Sequence, residues 1–269
     1  MSDETPEQIA GNWDLVARRY AEYIDPMTAL YAADTVERAE VGSGDRVLDV
    51  ASGFGAATLL AARRADEVVA VDFSSEMCDA LRERAASEGA ANVTVRQMDA
   101  QALDLPDDGF DAGVSSFGAM ICPDRVKAFA EMARATRPGG RLATVCWQGP
   151  PNNEWLQTFM STVTTALPDA DPPTPPPFME LADPDRLRSE VEAAGWSDVE
   201  IVGVTHEAAW ADDDAAWAAI AESNPLFGPL LEQLPAEVVT KLRTTFRDLI
   251  DQRGDAHLSA GAWIAVGRA

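Results

Sequence analysis

The chain has 269 residues, 46 % hydrophobic and 25 % charged, with 21 basic against 45 acidic side chains and a formal net charge of −24. A chain of this length and make-up buries a core without disulfide or metal staples, which excludes a disordered or fibrous protein. A field this negative repels phosphate backbones and anionic lipid, which excludes nucleic acid and membrane surfaces as partners.

Cys78, Cys122 and Cys146 form no CxxC pair, so neither a disulfide frame nor a metal site is expected. The opening MSDETPEQ carries no charged-then-apolar leader, and no apolar run reaches the ~18 residues of a membrane span. The expected location is the cytoplasm, as a monomer or homodimer.

Ile9, Trp13, Val16 and Tyr20 recur at helical steps and predict an amphipathic helix over 6–20, followed by a second over 26–40. After a turn at Gly42, Gly44 and Asp45, Arg46–Val50 reads as a buried strand leading into Ser52, Gly53 and Gly55. Helical 56–64, strand 67–71 ending in Asp72, a helix capped by Ser74 or Ser75, and strand 93–98 ending in Asp99 continue the alternation. Strand 110–115, a helix after Pro123 and Asp124, a stop at 137–140 and strand 141–147 complete five strands alternating with helices, the pattern of a parallel sheet covered on both faces. Pro168, Pro172, Pro173, Pro175, Pro176 and Pro177 predict an extended loop. Helix 184–194, strand 198–204, a helical stretch over 213–252 and a last strand at 261–267 follow. In that stretch Val238, Val239, Leu242, Phe246 and Leu249 share a face.

Gly53 and Gly55 stand between a strand and a helix, where a bare backbone approaches a ligand closely. The nicotinamide fingerprint needs a third glycine where this chain has Thr58. Asp49, inside the strand before the loop, repels a pyrophosphate and favours an ammonium or sulfonium. Asp72 lies 19 residues past Gly53, where a carboxylate accepts from ribose hydroxyls. Asp99 ends the third strand, where it can accept from the amine of an adenine. Three acids at three successive strand ends read together as a cationic amino-acid end, a ribose and an adenine.

VLDVASGFG (47–55), AVDFSSEM (70–77), VRQMDAQAL (95–103), LPDDGFDAGVSSFGAM (105–120) and RPGGRLATVCW (137–147) stand in the order of the motifs of class I S-adenosylmethionine-dependent methyltransferases, which the chain resembles. The quinone-biosynthesis type is the nearest, and ADPDRLRSEVEAAGW (182–196) and the terminal strand also fit. Ala51 and Ser52 depart from the glycine and cysteine common in that family. The resemblance implies an α/β fold, a Rossmann-like seven-stranded sheet with a reversed last strand, helices on both faces and a helical lid. It implies S-adenosylmethionine as cofactor and S-adenosylhomocysteine as product. Asp49, Ala51, Ser52, Gly53 and Gly55 would flank the methionine part. Asp72 would hold the ribose, Phe73 and Met77 the adenosine, Asp99 and Ala100 the adenine. Ser115 and Phe117 would lie near the sulfonium, and Tyr20 would close over it.

The expected division of this single domain is a helical cap over 1–40, a cofactor core over 41–148, and lid elements over 149–180 and 208–255. The lid segment 208–255 is rich in small and acidic residues, so its own core should be thin. Met120, Ile121, Trp147, Asn152, Trp155 and Phe178 are the acceptor-pocket candidates, and the apolar and aromatic lid residues Phe159, Met160, Phe178, Trp210, Trp217 and Phe227 point to a lipophilic or aromatic small molecule. His206, expected just past strand six, and His257, just before the last strand, are the candidate general bases. Two other readings stay open: a nucleoside-binding regulator or scaffold without methyl transfer, and a nicotinamide oxidoreductase, against which Thr58 and Asp49 count.

Overall fold

A computed structural model describes residues 5–170, 175–225, 227–254 and 257–269. Two helices, α1 (Ala10–Tyr23) and α2 (Asp25–Arg38), precede β1 (Arg46–Val50), α3 (Ala56–Ala62), β2 (Glu67–Asp72), α4 (Ser75–Ser87), β3 (Val93–Gln97) and β4 (Phe110–Ser116). Then come α5 (Arg125–Ala135), β5 (Thr136–Trp147), α6 (Glu154–Ala166), α7 (Pro184–Ala193) and β6 (Ser197–Ala209). The short α8 (Asp213–Trp217) and α9 (Gly228–Leu231), the long α10 (Ala236–Arg253) and β7 (His257–Arg268) close the chain. The seven strands form one sheet in the order β3-β2-β1-β4-β5-β7-β6. β1 to β5 pair in parallel, and β7 runs antiparallel to both β5 and β6, so the last strand is reversed as expected.

Successive strand residues face opposite sides of the sheet. Val47 packs with Ala32 and Val36 of α2 and Ala57 and Ala61 of α3. Leu48 and Val50 belong to the buried cluster on the other face, which includes Phe129 and Met132 of α5 and Leu187 and Val191 of α7. Both faces are therefore covered, which is why these strands read as continuous apolar runs. On α1 the buried residues are Val16 and Ala17, whereas Ile9 is 44 % exposed and lies ahead of the helix.

Several expectations about the elements change. The stop at 137–140 does not end outside the sheet: β5 begins at Thr136, and its register on β4 jumps from Phe110–Thr136 to Ala112–Arg141. A detour through Gly139, at φ +73°, lets the chain bulge without leaving its partner. β6 runs to Ala209 and β7 starts at His257, so both outlast the sequence pattern. β5 pairs with β7 only as far as Trp147–Ala262, while β6 and β7 go on pairing to Ala209–His257. Antiparallel partnering satisfies backbone groups there whatever the local composition. His206 consequently lies inside β6, opposite Ala260, rather than beyond it.

Pro177–Ala182 is a 3-10 helix rather than part of an extended loop, and Pro172 and Pro173 lie outside the described residues. The stretch 213–252 is broken into α8, a π turn at Ala218–Glu222, α9 and α10. Its inward seam passes through Leu242, Phe246 and Ile250, with Leu249 only half-buried. Nor is its core thin: Trp217, Ile220, Leu242, Phe246 and Ile250 pack with Phe159 and Ala166 of α6 into a cluster separate from the sheet's. Among the described residues no helix is long and apolar enough to cross a membrane, and no group of three or more potential ligands is placed to hold a metal.

Candidate functional site

A cavity opens over the carboxyl ends of β1, β2, β4 and β5, walled by α1, α2 and the helical layer built on α6 and α10. Its floor is the turn after β1. Ala51 (φ +54°), Gly53 (φ +51°) and Gly55 (φ +83°) all take left-handed backbone there. The Gly53 N–H donates to Asp72 Oδ2 at 2.8 Å, and the Ser74 N–H donates to Asp72 Oδ1 at 2.9 Å. Asp72 thus ties the turn to the end of β2. Burial pushes its pKa up to about 6 against the pull of those two bonds. The two glycines do different things. A Cβ on Gly53 meets no atom within 4 Å, and Gly53 lines the cavity. A Cβ on Gly55 falls 2.1 Å from Leu81 Cδ1, so Gly55 serves the packing of the turn on α4 and lies outside the cavity wall. Ser52 lines the cavity, and its Oγ is buried with no hydrogen-bond partner.

Asp49 lies under this floor. Its Oδ2 accepts from Thr58 Oγ1 at 2.6 Å, while Oδ1 is buried without a partner. Burial raises its pKa to about 7. A pKa raised on folding gives stability that is complete below the unfolded value and is lost as pH climbs through the folded one. The window here runs from about 3.8 to about 7, and its size is on the order of a few kcal/mol. Asp49→Asn, in the ligand-free protein, is therefore expected to match the wild-type melting temperature near pH 4 and to exceed it at pH 8. Parallel melting curves whose difference does not change with pH would remove the charged carboxylate as the cause.

The far wall is aromatic. Phe117 stacks on Trp147 at 3.8 Å between ring centroids and 18° between planes, and Trp155 meets Trp147 edge-on at 5.7 Å. Tyr31, fully buried on α2, stands edge-on to both Phe117 and Trp147 at 5.3 Å, and its hydroxyl donates to the Ala260 carbonyl. Phe117 is held at φ +59°. A strained, bulky residue at a cavity wall is a position the surrounding contacts over-determine. Ser115 supplies part of that restraint: its Oγ donates to the Val50 carbonyl at 2.8 Å and accepts from the Ala119 N–H at 3.0 Å. Trp13, Trp196, Trp210, Trp217 and Trp263 each donate their indole N–H to a carbonyl or carboxylate. The indole N–H of Trp155 is buried and donates to nothing.

Of the residues singled out in the sequence, Tyr20, Ala51, Ser52, Gly53, Asp72, Phe73, Met77, Phe117, Met120, Ile121, Trp147, Trp155 and Phe178 line this one cavity. Asp49, Gly55, Asp99, Ala100, Ser115, Asn152, His206 and His257 do not. Asp99 is exposed, and its carboxylate accepts from the backbone and side-chain amides of Gln101. Ala100 packs in the main core. Ser115 faces away from the wall that its neighbour Ser116 joins, since adjacent strand residues alternate. Asn152 is exposed in a 3-10 turn, and Asn153 beside it caps α6. His206 Nε2 lies 2.7 Å from Asp34 Oδ2. His257 opens β7 on the exposed arm.

The wall also holds Glu7, Trp13, Asp25, Thr28 and Asn224, which the sequence reading left out of the site, and Trp210 of the expected lid. Trp13 carried the clearest signal, sharing the helical face of Tyr20, which it meets edge-on at 5.7 Å. Asp25 is ion-paired with Arg84 at 2.9 Å, and burial raises its pKa.

A family model described as a methyltransferase domain matches residues 47–140. The demethylmenaquinone methyltransferase of Mycobacterium sp. (strain KMS) is 35 % identical over 212 residues, which cover 73 % of this chain and 89 % of that protein. Among solved structures, the YcgJ protein of Bacillus subtilis superposes with a TM-score of 0.61 at 20 % identity, covering 88 % of this chain and 97 % of its own. The cyclase SpnF superposes with a TM-score of 0.60 at 18 % identity, covering 98 % and 97 %. Likenesses this distant in sequence speak for the fold alone, whereas the mycobacterial match spans nearly the whole of a relative. On that match, with the reversed seventh strand and the cavity over the strand ends, the chain belongs to the class I S-adenosylmethionine-dependent methyltransferases, of the quinone-biosynthesis type.

Proposed function

We propose that the protein moves the methyl group of S-adenosylmethionine to a small, lipophilic, hydroxylated aromatic acceptor of quinol type. One observation carries the reading: a single cavity joins the glycine turn to the wall of Phe117, Trp147 and Trp155. The relatives named for demethylmenaquinone favour the same class of acceptor.

The residues present fit the cofactor. Gly53 leaves open the space that a side chain would fill, and the Ser52 hydroxyl is a buried group still in want of a partner. Asp72 offers a carboxylate to the ribose, with Phe73 and Met77 beside it. The cofactor supplies a methyl on a sulfonium, a leaving group that is activated before binding. The chain therefore has three tasks: alignment, exclusion of water and removal of a proton. Phe117 and Trp147 present ring faces that favour a cation. Trp155 brings a free indole N–H that suits an oxygen of the acceptor. Trp155 of α6, Phe178, Trp210 and the turn residues Ala219 and Ile220 line the acceptor end, in keeping with lid segments over 149–180 and 208–255. This activity is carried out as a cytoplasmic enzyme of one domain.

The test is incubation of the purified protein with S-adenosylmethionine and a naphthohydroquinone bearing an unsubstituted ring position, under anaerobic conditions. Mass spectrometry should find S-adenosylhomocysteine and the methylated ring in equal amounts. Formation of neither across a panel of quinols and phenols would overturn the acceptor class.

A further inference from the structure

Methylation of a hydroxylated ring requires a group that takes the hydroxyl proton, and neither histidine borders the cavity. The titratable side chains that do are Glu7, Tyr20, Asp25 and Asp72. Asp72 already receives one backbone N–H on each oxygen. Asp25 is engaged by the Arg84 guanidinium. Tyr20 is pushed upward by burial and so holds its own proton.

Glu7 differs from all three. It lies in the 3-10 turn Pro6–Gln8 ahead of α1, and the turn is tied down: Trp13 Nε1 donates to the Glu7 carbonyl and Asn12 Nδ2 to the Pro6 carbonyl, each at 2.8 Å. Its side chain lines the cavity with only 2 % of the residue exposed. Oε1 accepts from Thr5 Oγ1 at 2.6 Å, whereas Oε2 is buried with no partner. Among the described residues no arginine, lysine or histidine is paired with it. A carboxylate oxygen withdrawn from water and left without a donor is costly unless a ligand provides one.

We propose that Glu7 is the general base of the reaction, its Oε2 accepting the proton of the acceptor's ring hydroxyl. The inference rests on the acceptor class proposed above. As the O–H bond breaks, its electron pair stays with the ring system, which forms the new bond to the methyl carbon. The sulfur–methyl bond breaks with its pair remaining on sulfur. If the methyl lands on that oxygen, Glu7 passes its proton to water. If it lands on a conjugated ring carbon, that carbon sheds its hydrogen to water and Glu7 returns its proton to the oxygen. Either way one proton is released per turnover.

The experiment compares wild type, Glu7→Gln and Glu7→Asp with the naphthohydroquinone as acceptor. Three quantities are read: kcat and KM against pH, calorimetric affinity for S-adenosylhomocysteine, and tryptophan quenching by the naphthohydroquinone. Glu7→Gln should lower kcat by about 100-fold or more, the scale of a lost general base, and abolish the acid limb of its pH profile. Affinity for S-adenosylhomocysteine and for the naphthohydroquinone should stay within about threefold. Glu7→Asp should recover part of kcat and the acid limb, and it carries the test should the amide variant fail to fold. An active wild type with kcat unchanged in Glu7→Gln overturns the assignment alone. So does an affinity for S-adenosylhomocysteine that falls about tenfold or more, because the carboxylate then serves the cofactor. A wild type that leaves the naphthohydroquinone and related phenols unmethylated overturns the acceptor class and this assignment with it.

Discussion

Gly53→Val should abolish measurable binding of S-adenosylhomocysteine while leaving the sheet folded. Two effects act together. Gly53 has φ +51°, a region that costs an ordinary residue ~1–2 kcal/mol and a β-branched one more. The Cβ would also project into the open space over the floor, where nothing lies within 4 Å. The branched side chain would occupy the room that fits the ligand, so affinity should drop by at least about a hundredfold, the worth of ~3 kcal/mol. Titration calorimetry gives the affinity, and a thermal melt in the ligand's presence should show no upward shift. A variant that still melts higher with ligand would mean that the turn does not meet it. Gly55→Val provides a contrast: its Cβ strikes Leu81, so it should lose stability first.

Asp72→Ala should weaken S-adenosylhomocysteine binding by roughly 1.5–3 kcal/mol, because hydrogen bonds to a charged group go with the carboxylate. It should also lower the stability of the free protein. The Gly53 and Ser74 N–H groups would lose their acceptor; the buried Ser74 donor left unpaired costs about 1–3 kcal/mol, and the half-buried Gly53 donor less. Some of that is returned, since a carboxyl whose pKa is raised to about 6 by burial destabilises the fold near neutral pH. Asp72→Asn separates the two roles: its single carbonyl oxygen can keep one N–H but not both. Calorimetry at pH 7.5 alongside melting curves tests both variants, and an unaltered affinity in Asp72→Ala would take this residue out of the cofactor site.

The glycine turn and the carboxylate beside it were legible in the sequence because their determinants are local. Asp72 ends an apolar strand at a fixed distance from a glycine turn, and nothing distant moves it. The two acids that lie outside the cavity wall do so for local reasons too. Asp99 spends its carboxylate on Gln101 two residues away, a competition that strand-end position does not reveal. One oxygen of Asp49 is taken by Thr58, one helical segment on, and the other is buried under the floor. The difference between Gly53 and Gly55 depends on Leu81 of α4, and that between Ser115 and Ser116 on strand phase. His206 was misplaced because β7, more than fifty residues later, extends β6 past the point where its own pattern stops. Glu7 carried no signal at all, being one acid in an acidic opening, and only the fold of α1 over the strand ends brings it to the wall.

The helical layer on α6 and α10 keeps a core of its own, distinct from that of the sheet. A layer held together in this way is expected to open as one cooperative unit rather than to fray residue by residue. It is joined to the sheet through the β6–β7 arm, and the Trp210 indole and the Arg19–Glu222 ion pair latch it to α1. If the layer opens as that unit, exchange of the cavity's contents depends on those two catches. Loosening the catches, and not melting the helices, would be the way for such a protein to trade grip on its product for speed.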